Sequence, residues 1–334
     1  MAIDNIDRTS MSSMVNGFPQ MVGAVNPSTD AIESAKDTTK GVCVLGMGGS
    51  AIAGEICKGL YSERAPIPIT CVRDYALPKY VDSDWSVIAV SYSGNTEETL
   101  SAFAEAIKRG IIPFVISSGG KLMDLADPKR FSRLPDSFQP RAALPLILSV
   151  ELPLIETLIG QNRTNLIQIG KKLADRKKEW TDNGSSPNQI ARRLSGKIPL
   201  FIGSGHLQAA AYRAKCQINE NAKIASFHSI LPEANHNEIE SVGWFASKDI
   251  LPVFLRSEHE SPRIRKRIEA TSEIYFDEGV DSIHLNHANA SKLEEILLHI
   301  YHLDLVSMEI ALKQGVDAVA VERIARLKRI LSQA

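Results

Sequence analysis

The sequence predicts an α/β fold with two doubly wound parallel sheets, flanking helices and a C-terminal helical segment. Three observations support this. Apolar, β-branched runs alternate with helical stretches, a pattern typical of parallel sheets joined by right-handed crossovers. The alternation stops in a polar stretch and then restarts. The two halves also share one plan of strand, glycine turn and small-residue helix, seen in VCVLGMGGSAIAGEICKGLY and PLFIGSGHLQAAAYRAKCQI.

The first half contains four apolar runs of strand length, each bounded by turn residues or by a helical stretch. These runs predict buried parallel strands over residues 41–45, 67–72, 85–90 and 111–117. Helical spacing predicts helices over residues 50–61 and 96–109, and Gly110 ends the second.

A polar, charged stretch then separates the halves. It predicts a connecting helix and linker with a turn at residues 183–186. Beyond it, further elements are predicted as strands over 198–202, 250–255 and 281–285, and helices over 207–218, 293–314 and 320–331. The resulting division is an N-terminal segment over 1–24, a first domain over 25–158, a connection over 159–196 and a second domain over 197–334.

Charge and composition exclude several classes of partner and compartment. The 38 basic and 39 acidic side chains nearly cancel, so we expect neither nucleic acid nor a membrane as a partner. Cys43, Cys57, Cys71 and Cys216 form no C-x-x-C pair, and we expect buried, reduced thiols. The N-terminus has no apolar core of the signal-peptide type, and no apolar run reaches about 18 residues. These features predict a cytoplasmic protein.

The turn after the first predicted strand is a candidate anion site. Gly48, Gly49 and Ser50 open the following helix, and glycines let the backbone approach a ligand. The exposed N–H groups and the positive end of the helix dipole favour an anion there. The turn also matches G-x-G-x-x-A, with Asp74 as a candidate ribose ligand, so a nicotinamide-dependent dehydrogenase stays open, as does a turn without a ligand.

The loop after the third predicted strand carries three hydroxyls, on Ser91, Ser93 and Thr96. It lies at the carboxyl edge of the sheet, where open α/β folds bind ligands. A helix cap needs only one hydroxyl. Two such turns side by side favour a phosphate monoester over a pyrophosphate. The pair GMGGSAIAG and SYSGNTEET resembles the sugar isomerase (SIS) domain, whose loops bind phosphosugars.

Isomerising an aldose phosphate requires ring opening, proton transfer between C2 and C1, and stabilisation of an enediolate. Side chains of suitable chemistry are Glu220, His236, Arg141 and Lys328. Each alone has an ordinary interpretation, respectively a helix-end glutamate, a loop histidine, a snorkelling arginine and a solvated lysine.

Together the motifs around these residues resemble one family. ENAK, EANHNEI, PRAALP and ERIARLK are similar, in order and spacing, to the archaeal-type bifunctional phosphoglucose/phosphomannose isomerases, over nearly the whole chain. The resemblance implies interconversion of glucose 6-phosphate, and of mannose 6-phosphate, with fructose 6-phosphate through a cis-enediol. It implies no cofactor and no metal.

The resemblance also implies a role for each matching residue. The 6-phosphate is held by the first-loop and second-loop residues Gly48, Gly49, Ser50, Ser91, Ser93 and Thr96. Glu220 shuttles the C1/C2 proton, and Arg141 stabilises the enediolate. His236, supplied across a homodimer interface, opens the ring together with Lys328.

The chain departs from the family pattern at one motif, and two alternative functions stay open. The family usually has a Thr-Pro pair nine residues before the terminal lysine, in D-P-T-P-V, where this chain has Val319-Ala320. The ratio of phosphoglucose to phosphomannose activity is therefore open. A non-catalytic phosphosugar sensor is the main alternative to an enzyme, and the dehydrogenase is the other.

Other histidines and arginines are set aside. The pairs His284/His287 and His299/His302 lack the H-E-x-x-H signature of zinc sites, and they are predicted to be surface histidines. The basic cluster over 263–267 is balanced by nearby glutamates, which predicts a solvated helix face.

Overall fold

The computed structural model describes residues 3–35, 38–180 and 186–333. The predicted turn at residues 183–186 lies largely outside them. The described chain divides into two compact units. The first takes its residues from 1–9, 16–178 and 292–294, and the second from 10–15, 179–291 and 295–334. The predicted four-part division of the chain stays a prediction.

Helices and strands are numbered along the chain. The strands are β1 (Val42–Leu45), β2 (Ile69–Val72), β3 (Ser86–Val90), β4 (Phe114–Ser117), β5 (Phe131–Arg133), β6 (Ile198–Ser204), β7 (Phe227–Leu231), β8 (Ile250–Arg256) and β9 (Ile283–Asn286). The helices are α1 (Met11–Asn16), α2 (Phe18–Met21), α3 (Thr29–Ser34), α4 (Gly48–Tyr61), α5 (Glu97–Lys108), α6 (Gly120–Leu125), α7 (Leu144–Leu158), α8 (Leu166–Glu179), α9 (Pro187–Arg193), α10 (Gln208–Gln217), α11 (Pro262–Asp277), α12 (Lys292–Gln314) and α13 (Glu322–Leu331).

The first unit is built on a five-stranded parallel sheet in the order β2-β1-β3-β4-β5. Every residue of β1 and β4 is buried, as expected for a parallel sheet covered on both faces. In the register of the sheet, Val44 lies between Cys71 and Ile88. The apolar run that follows Arg141 forms α7, which is buried along nearly its whole length, as its sequence predicts.

The second unit repeats the plan with a four-stranded parallel sheet in the order β7-β6-β8-β9. Its core packs Phe254, Ile268 and Tyr275 between the sheet and α11. The two parallel sheets with flanking helices confirm the predicted fold class.

The sequence does not predict two of the strands, β5 and β7. β5 is three residues long and includes Ser132 and Arg133. β7 leaves Phe227 55% exposed, and its alternating FHSIL pattern lacks the continuous apolar run used to find the other strands. Neither strand therefore shows the continuous apolar run by which the other strands are predicted.

The histidine prediction is wrong for three residues. His299 and His302 are fully buried on α12, and His287 is 2% exposed. They cluster with Trp180, whose ring centroid lies 4.4 Å from that of His302. Burial lowers the pKa of His299 to about 4, so this imidazole is neutral. The prediction failed because α12 is buried on nearly all sides, whereas a polar residue on a helix was expected to face solvent.

All four cysteines are free thiols; Cys43 and Cys57 are buried, and Cys71 and Cys216 are partly buried. Among the described residues, no helix combines the length and the hydropathy needed to span a membrane.

Candidate active site

The central strands β1 and β3 are adjacent, and the chain leaves them toward opposite edges of the sheet. Such a switch in strand order opens a crevice at the carboxyl ends of the two strands, where doubly wound folds bind ligands. The turn at residues 46–47 and the start of α4 follow β1, and the loop over 91–96 follows β3. The sheet topology therefore brings together the two loops that the sequence predicted to hold a phosphate.

A direct hydrogen bond joins the loops. The backbone N–H of Tyr92 donates to Ser50 Oγ at 3.2 Å. Within the second loop, the hydroxyls of Ser91 and Thr96 lie 2.9 Å apart. Ser50 and Ser91 are buried, Thr96 is partly buried and Ser93 is exposed. The four hydroxyl-bearing residues therefore range from buried to exposed across the two loops.

Neither helix that begins at this crevice is capped by a side chain. Met47 precedes α4 and Thr96 precedes α5, and neither side chain accepts a hydrogen bond from a first-turn N–H group. By contrast, Ser28, Ser186 and Ser261 cap α3, α9 and α11. The hydroxyls of the second loop therefore do not serve as the helix cap, and two helix N-termini present backbone donors to an anion.

The segment that carries Arg141 lies against the first loop. A β-carbon at Gly49 would lie 3.0 Å from the Pro140 carbonyl oxygen and 3.1 Å from Arg141 Cα. Glycine accommodates this approach, because a β-carbon would force the neighbouring backbone to shift by a few tenths of an ångström. The Arg141 side chain is 4% exposed. The fold therefore places this arginine next to the predicted phosphate loop.

Tyr92, which the sequence analysis did not single out, anchors the approach to Arg141. Its hydroxyl donates to the Pro135 carbonyl oxygen at 2.7 Å and accepts from the Phe138 N–H at 2.9 Å. One side chain of the second loop thus holds the segment that leads to Arg141. Its position inside SYSGNT is the available signal, but a loop motif does not indicate which distant segment its side chain contacts.

In the second unit, Glu220 lies where α10 ends. The helix widens there into a π-helical turn over Ile218–Ala222, a distortion common at functional sites. Glu220 lines a cavity of about 430 Å³, opposite residues that precede and begin α13. Ala320 is one of them, and Val319 is not among the described residues that line this cavity.

Three side chains hold the backbone of this turn. Asn219 donates to the Ile224 carbonyl oxygen at 2.8 Å, and Asn221 donates to Ser307 Oγ on α12 at 2.9 Å. Lys223 donates to the carbonyl oxygens of Glu220 and Ala320. Sequence reasoning missed Asn221 and Lys223 as supporting residues, although both lie inside the ENAK motif.

The remaining predicted residues lie apart from this cavity. His236 is exposed at the end of the turn Glu233–His236, and Lys328 is exposed on α13. The cavity-lining residues identified in the described part of this unit do not include either. Within one unit the structure therefore gathers the phosphate loops and Arg141, and within the other it sets Glu220 in a cavity.

The sequence has well-matched relatives. It is 37% identical to the bifunctional phosphoglucose/phosphomannose isomerase of Aquifex aeolicus over 307 residues, covering 90% of this chain and 93% of that protein. The chain belongs to the bifunctional phosphoglucose/phosphomannose isomerase family. The protein of the same name from Thermoplasma acidophilum is 35% identical, covering 88% of this chain and 91% of its own length. The family predicted from the motifs, and with it the prediction of an isomerase, is confirmed.

Two further comparisons agree with this membership. Residues 184–331 match the bacterial phospho-glucose isomerase C-terminal SIS domain. The C-terminal domain of glucosamine-fructose-6-phosphate aminotransferase from Francisella tularensis superposes with a TM-score of 0.70 at 17% identity, covering 92% of this chain and 97% of that one. At that identity the likeness shows the shared fold alone. The remaining question is how the residues of this chain carry out the family's chemistry.

Proposed function

We propose that this protein interconverts fructose 6-phosphate with glucose 6-phosphate, and with mannose 6-phosphate as a second aldose, through a cis-enediol and without a metal. The observation that carries the proposal is the pair of hydroxyl-bearing loops, joined by the Tyr92–Ser50 hydrogen bond, at two helix N-termini without side-chain caps. This arrangement offers many neutral donors to one compact dianion, in a chain of this isomerase family.

The 6-phosphate sits in the crevice of the first unit. Ser50, Ser91, Ser93 and Thr96 supply hydroxyls, and the backbone at Gly48 and Gly49 supplies space and N–H donors. Neutral donors are well suited to a ligand that must leave after each turnover, since they bind the dianion without a fixed ion pair. A dinucleotide would need the same turn for a pyrophosphate, and the hydroxyls of the second loop would then have no evident role.

Glu220 moves the proton. In the open-chain aldose its carboxylate takes the proton from C2, while the electron pair of the C1 carbonyl moves onto the C1 oxygen. The hydroxyl proton then moves from O2 to O1, and return of the carbon-bound proton from Glu220 to C1 gives the ketose. The guanidinium of Arg141 offsets the negative charge that develops on the enediolate. His236 and Lys328 open the ring, as an imidazole and an ammonium group can exchange protons with the ring oxygen and the C1 hydroxyl.

We also propose that the active enzyme is a homodimer, with His236 acting in the site of the second copy. The family resemblance implies this arrangement. Two properties of this chain support it: His236 is exposed on its unit, and it is absent from the described residues that line the Glu220 cavity. An imidazole in that position is accessible to a neighbouring subunit.

The wall of the Glu220 cavity bears on the choice of aldose. Where the family usually carries Thr-Pro, this chain has Val319-Ala320, and Ala320 lines the cavity. Ala320 takes the place of the proline in this wall, and Val319, in the place of the threonine, makes the neighbouring segment more apolar. Because glucose and mannose 6-phosphates differ only in configuration at C2, we propose that this wall sets the ratio of the two activities.

The test is an assay of the pure, chelator-treated protein with fructose, glucose and mannose 6-phosphates offered separately. We expect fructose 6-phosphate to give both aldose phosphates, with rates unchanged by the chelator. Saturable binding of all three without any product would instead support the phosphosugar sensor. An absorbance change on mixing with a nicotinamide cofactor and substrate would support the dehydrogenase.

A further inference from the structure

We propose that the second unit contains a closed anion site, at the position equivalent to the phosphate crevice of the first unit, and that the carboxylate of Glu295 permanently occupies it. The chain then binds one phosphate group rather than two. The site becomes open to a small oxyanion such as formate or inorganic phosphate when this side chain is removed.

The topology places a second crevice in the second unit. In the order β7-β6-β8-β9, the adjacent strands β6 and β8 send the chain toward opposite edges of the sheet, as β1 and β3 do in the first unit. The glycine turn after β6 holds His206, and the loop after β8 holds Ser257 and Glu258. Both loops lead into a helix, as they do in the first unit. The internal repeat in the sequence therefore extends to the place where a ligand would bind.

A protein carboxylate lies between these two loops. Glu295 Oε2 lies 2.9 Å from His206 Nε2 and accepts a hydrogen bond from Ser257 Oγ. Glu295 Oε1 accepts from the backbone N–H of Glu258 at 2.9 Å. One donor comes from the β6 loop and two come from the β8 loop. This is the donor set expected for a bound oxyanion: an imidazole, a hydroxyl and a backbone N–H.

The surroundings favour the charged form of this carboxyl group. Glu295 is 0% exposed, and burial alone acts to raise its pKa. The hydrogen bonds from His206, Ser257 and the Glu258 N–H act in the opposite direction, and the net result is a lowered pKa. The donors therefore lower the pKa of Glu295 by more than desolvation raises it, as expected for a site that binds an anion.

Glu151 in the first unit shows that burial without hydrogen-bond donors raises the pKa of a glutamate. Its side chain is also 0% exposed, but neither carboxylate oxygen has a hydrogen-bond partner among the described residues. Burial raises the pKa of this group well above its ordinary value, which favours the neutral acid. The difference between the two glutamates lies in the donors converging on Glu295. Glu151 therefore offers a matched control.

The experiment compares Glu295→Ala with Glu151→Ala in the full chain. Each variant removes a fully buried carboxyl group of the same size. Thermal unfolding is followed with formate against chloride at equal ionic strength. At a formate concentration ten times its dissociation constant, we expect the Tm of Glu295→Ala to rise by about 2 °C relative to chloride. Wild type and Glu151→Ala should show no formate-specific rise. An equal rise in Glu151→Ala, or none in Glu295→Ala, would overturn the proposal.

A second variant covers the case in which Glu295→Ala does not fold. Glu295→Gln keeps the volume of the side chain and fills the site with a neutral amide. We expect it to fold and to give no formate-specific rise in Tm. A rise in this variant would mean that formate acts elsewhere, and the proposal would be wrong.

The count of sites in the wild-type protein provides an independent measurement. Calorimetric titration with inorganic phosphate is expected to give one site per chain, and that expectation rests on the proposed function. Two sites would contradict the closed site in the second unit. No site at all would contradict the proposed phosphate crevice of the first unit and leave the Glu295 result unaffected, so the two failures are distinguishable.

Discussion

The ammonium group of Lys223 donates a hydrogen bond to the backbone carbonyl oxygen of Glu220, at an Nζ–O distance of 2.5 Å. The same group donates to the carbonyl oxygen of Ala320, in the opposite wall of the cavity. Lys223 itself has a left-handed backbone conformation, with φ of 60°, directly after the π-helical turn. One side chain therefore ties the backbone of the proposed base to the wall that faces it.

Lys223 is expected to act as a positioning residue. Lys223→Met removes the donor and keeps much of the volume, so the Glu220 carboxylate loses its fixed placement relative to C1 and C2. We expect kcat to fall by about 10- to 100-fold, with KM changed less than threefold. Lys223→Arg, which retains donors, should recover much of the loss. If Lys223→Met has a lower Tm but a normal kcat, Lys223 contributes to stability and does not position Glu220.

Replacing Glu220 by glutamine should remove the proton transfer while preserving the shape of the site. We expect kcat to fall by about 10²- to 10⁴-fold, with substrate affinity within roughly tenfold of wild type. The carboxylate acts mainly in the transition state, so binding of the ground state is largely retained. Loss of exchange of the C2 hydrogen with solvent deuterium, followed by NMR, would identify the missing step. Near-normal turnover would exclude Glu220 as the base.

Thr96→Val should weaken phosphate binding without changing the shape of the loop. The hydroxyl lies 2.9 Å from that of Ser91 in the crevice. Since a hydrogen bond to a charged group contributes about 1.5–3 kcal/mol, we expect KM for fructose 6-phosphate to rise by about 10- to 100-fold. Ser101→Ala, at an exposed position of α5, serves as the control and should leave KM unchanged. Equal KM values for the two variants would place the phosphate elsewhere.

A mixing experiment tests whether His236 acts in the second copy. Glu220→Gln and His236→Ala are each expected to be inactive alone. In a mixed dimer, one site combines the intact Glu220 of one chain with the intact His236 of the other. Random reassociation of equal amounts should therefore recover up to about one quarter of wild-type activity, since half of the dimers would each carry one native site. If His236 acts within its own chain, no mixed dimer contains a native site and no activity returns.

Glu151 should make the protein less stable as the pH rises. Its folded-state pKa is raised by burial, so the native state favours the protonated form. Below its unfolded pKa the group is protonated in both the native and the unfolded state, so it does not lower the free energy of unfolding. Between the unfolded and the folded pKa the free energy of unfolding falls by about 1.4 kcal/mol per pH unit. Glu151→Gln removes the titrating carboxyl group. The free energy of unfolding of this variant should therefore fall less steeply with rising pH than that of wild type. Parallel curves of unfolding free energy against pH would contradict this assignment.

The extent to which the sequence predicted the fold depends on what each element buries. β1 and β3 were predicted because strands buried on both faces need continuous apolar runs. β5 and β7 were missed because neither carries a continuous apolar run. The buried histidines of α12 were missed for a related reason. The polarity of a side chain predicts only the environment that is usual for its residue type. His299 and His302 are buried because helices and strands surround α12.

The sequence by itself determined the fold class, the family and the two hydroxyl-bearing loops, because strand patterns and short motifs are local properties of the chain. Only the tertiary structure decided that Tyr92 joins these loops, that a π-helical turn presents Glu220 to a cavity, and that Glu295 occupies the second crevice. Each of these depends on groups from distant parts of the chain. Glu295 contacts His206 across 89 residues, and such a contact is specified by packing and hydrogen-bond geometry rather than by spacing in the sequence.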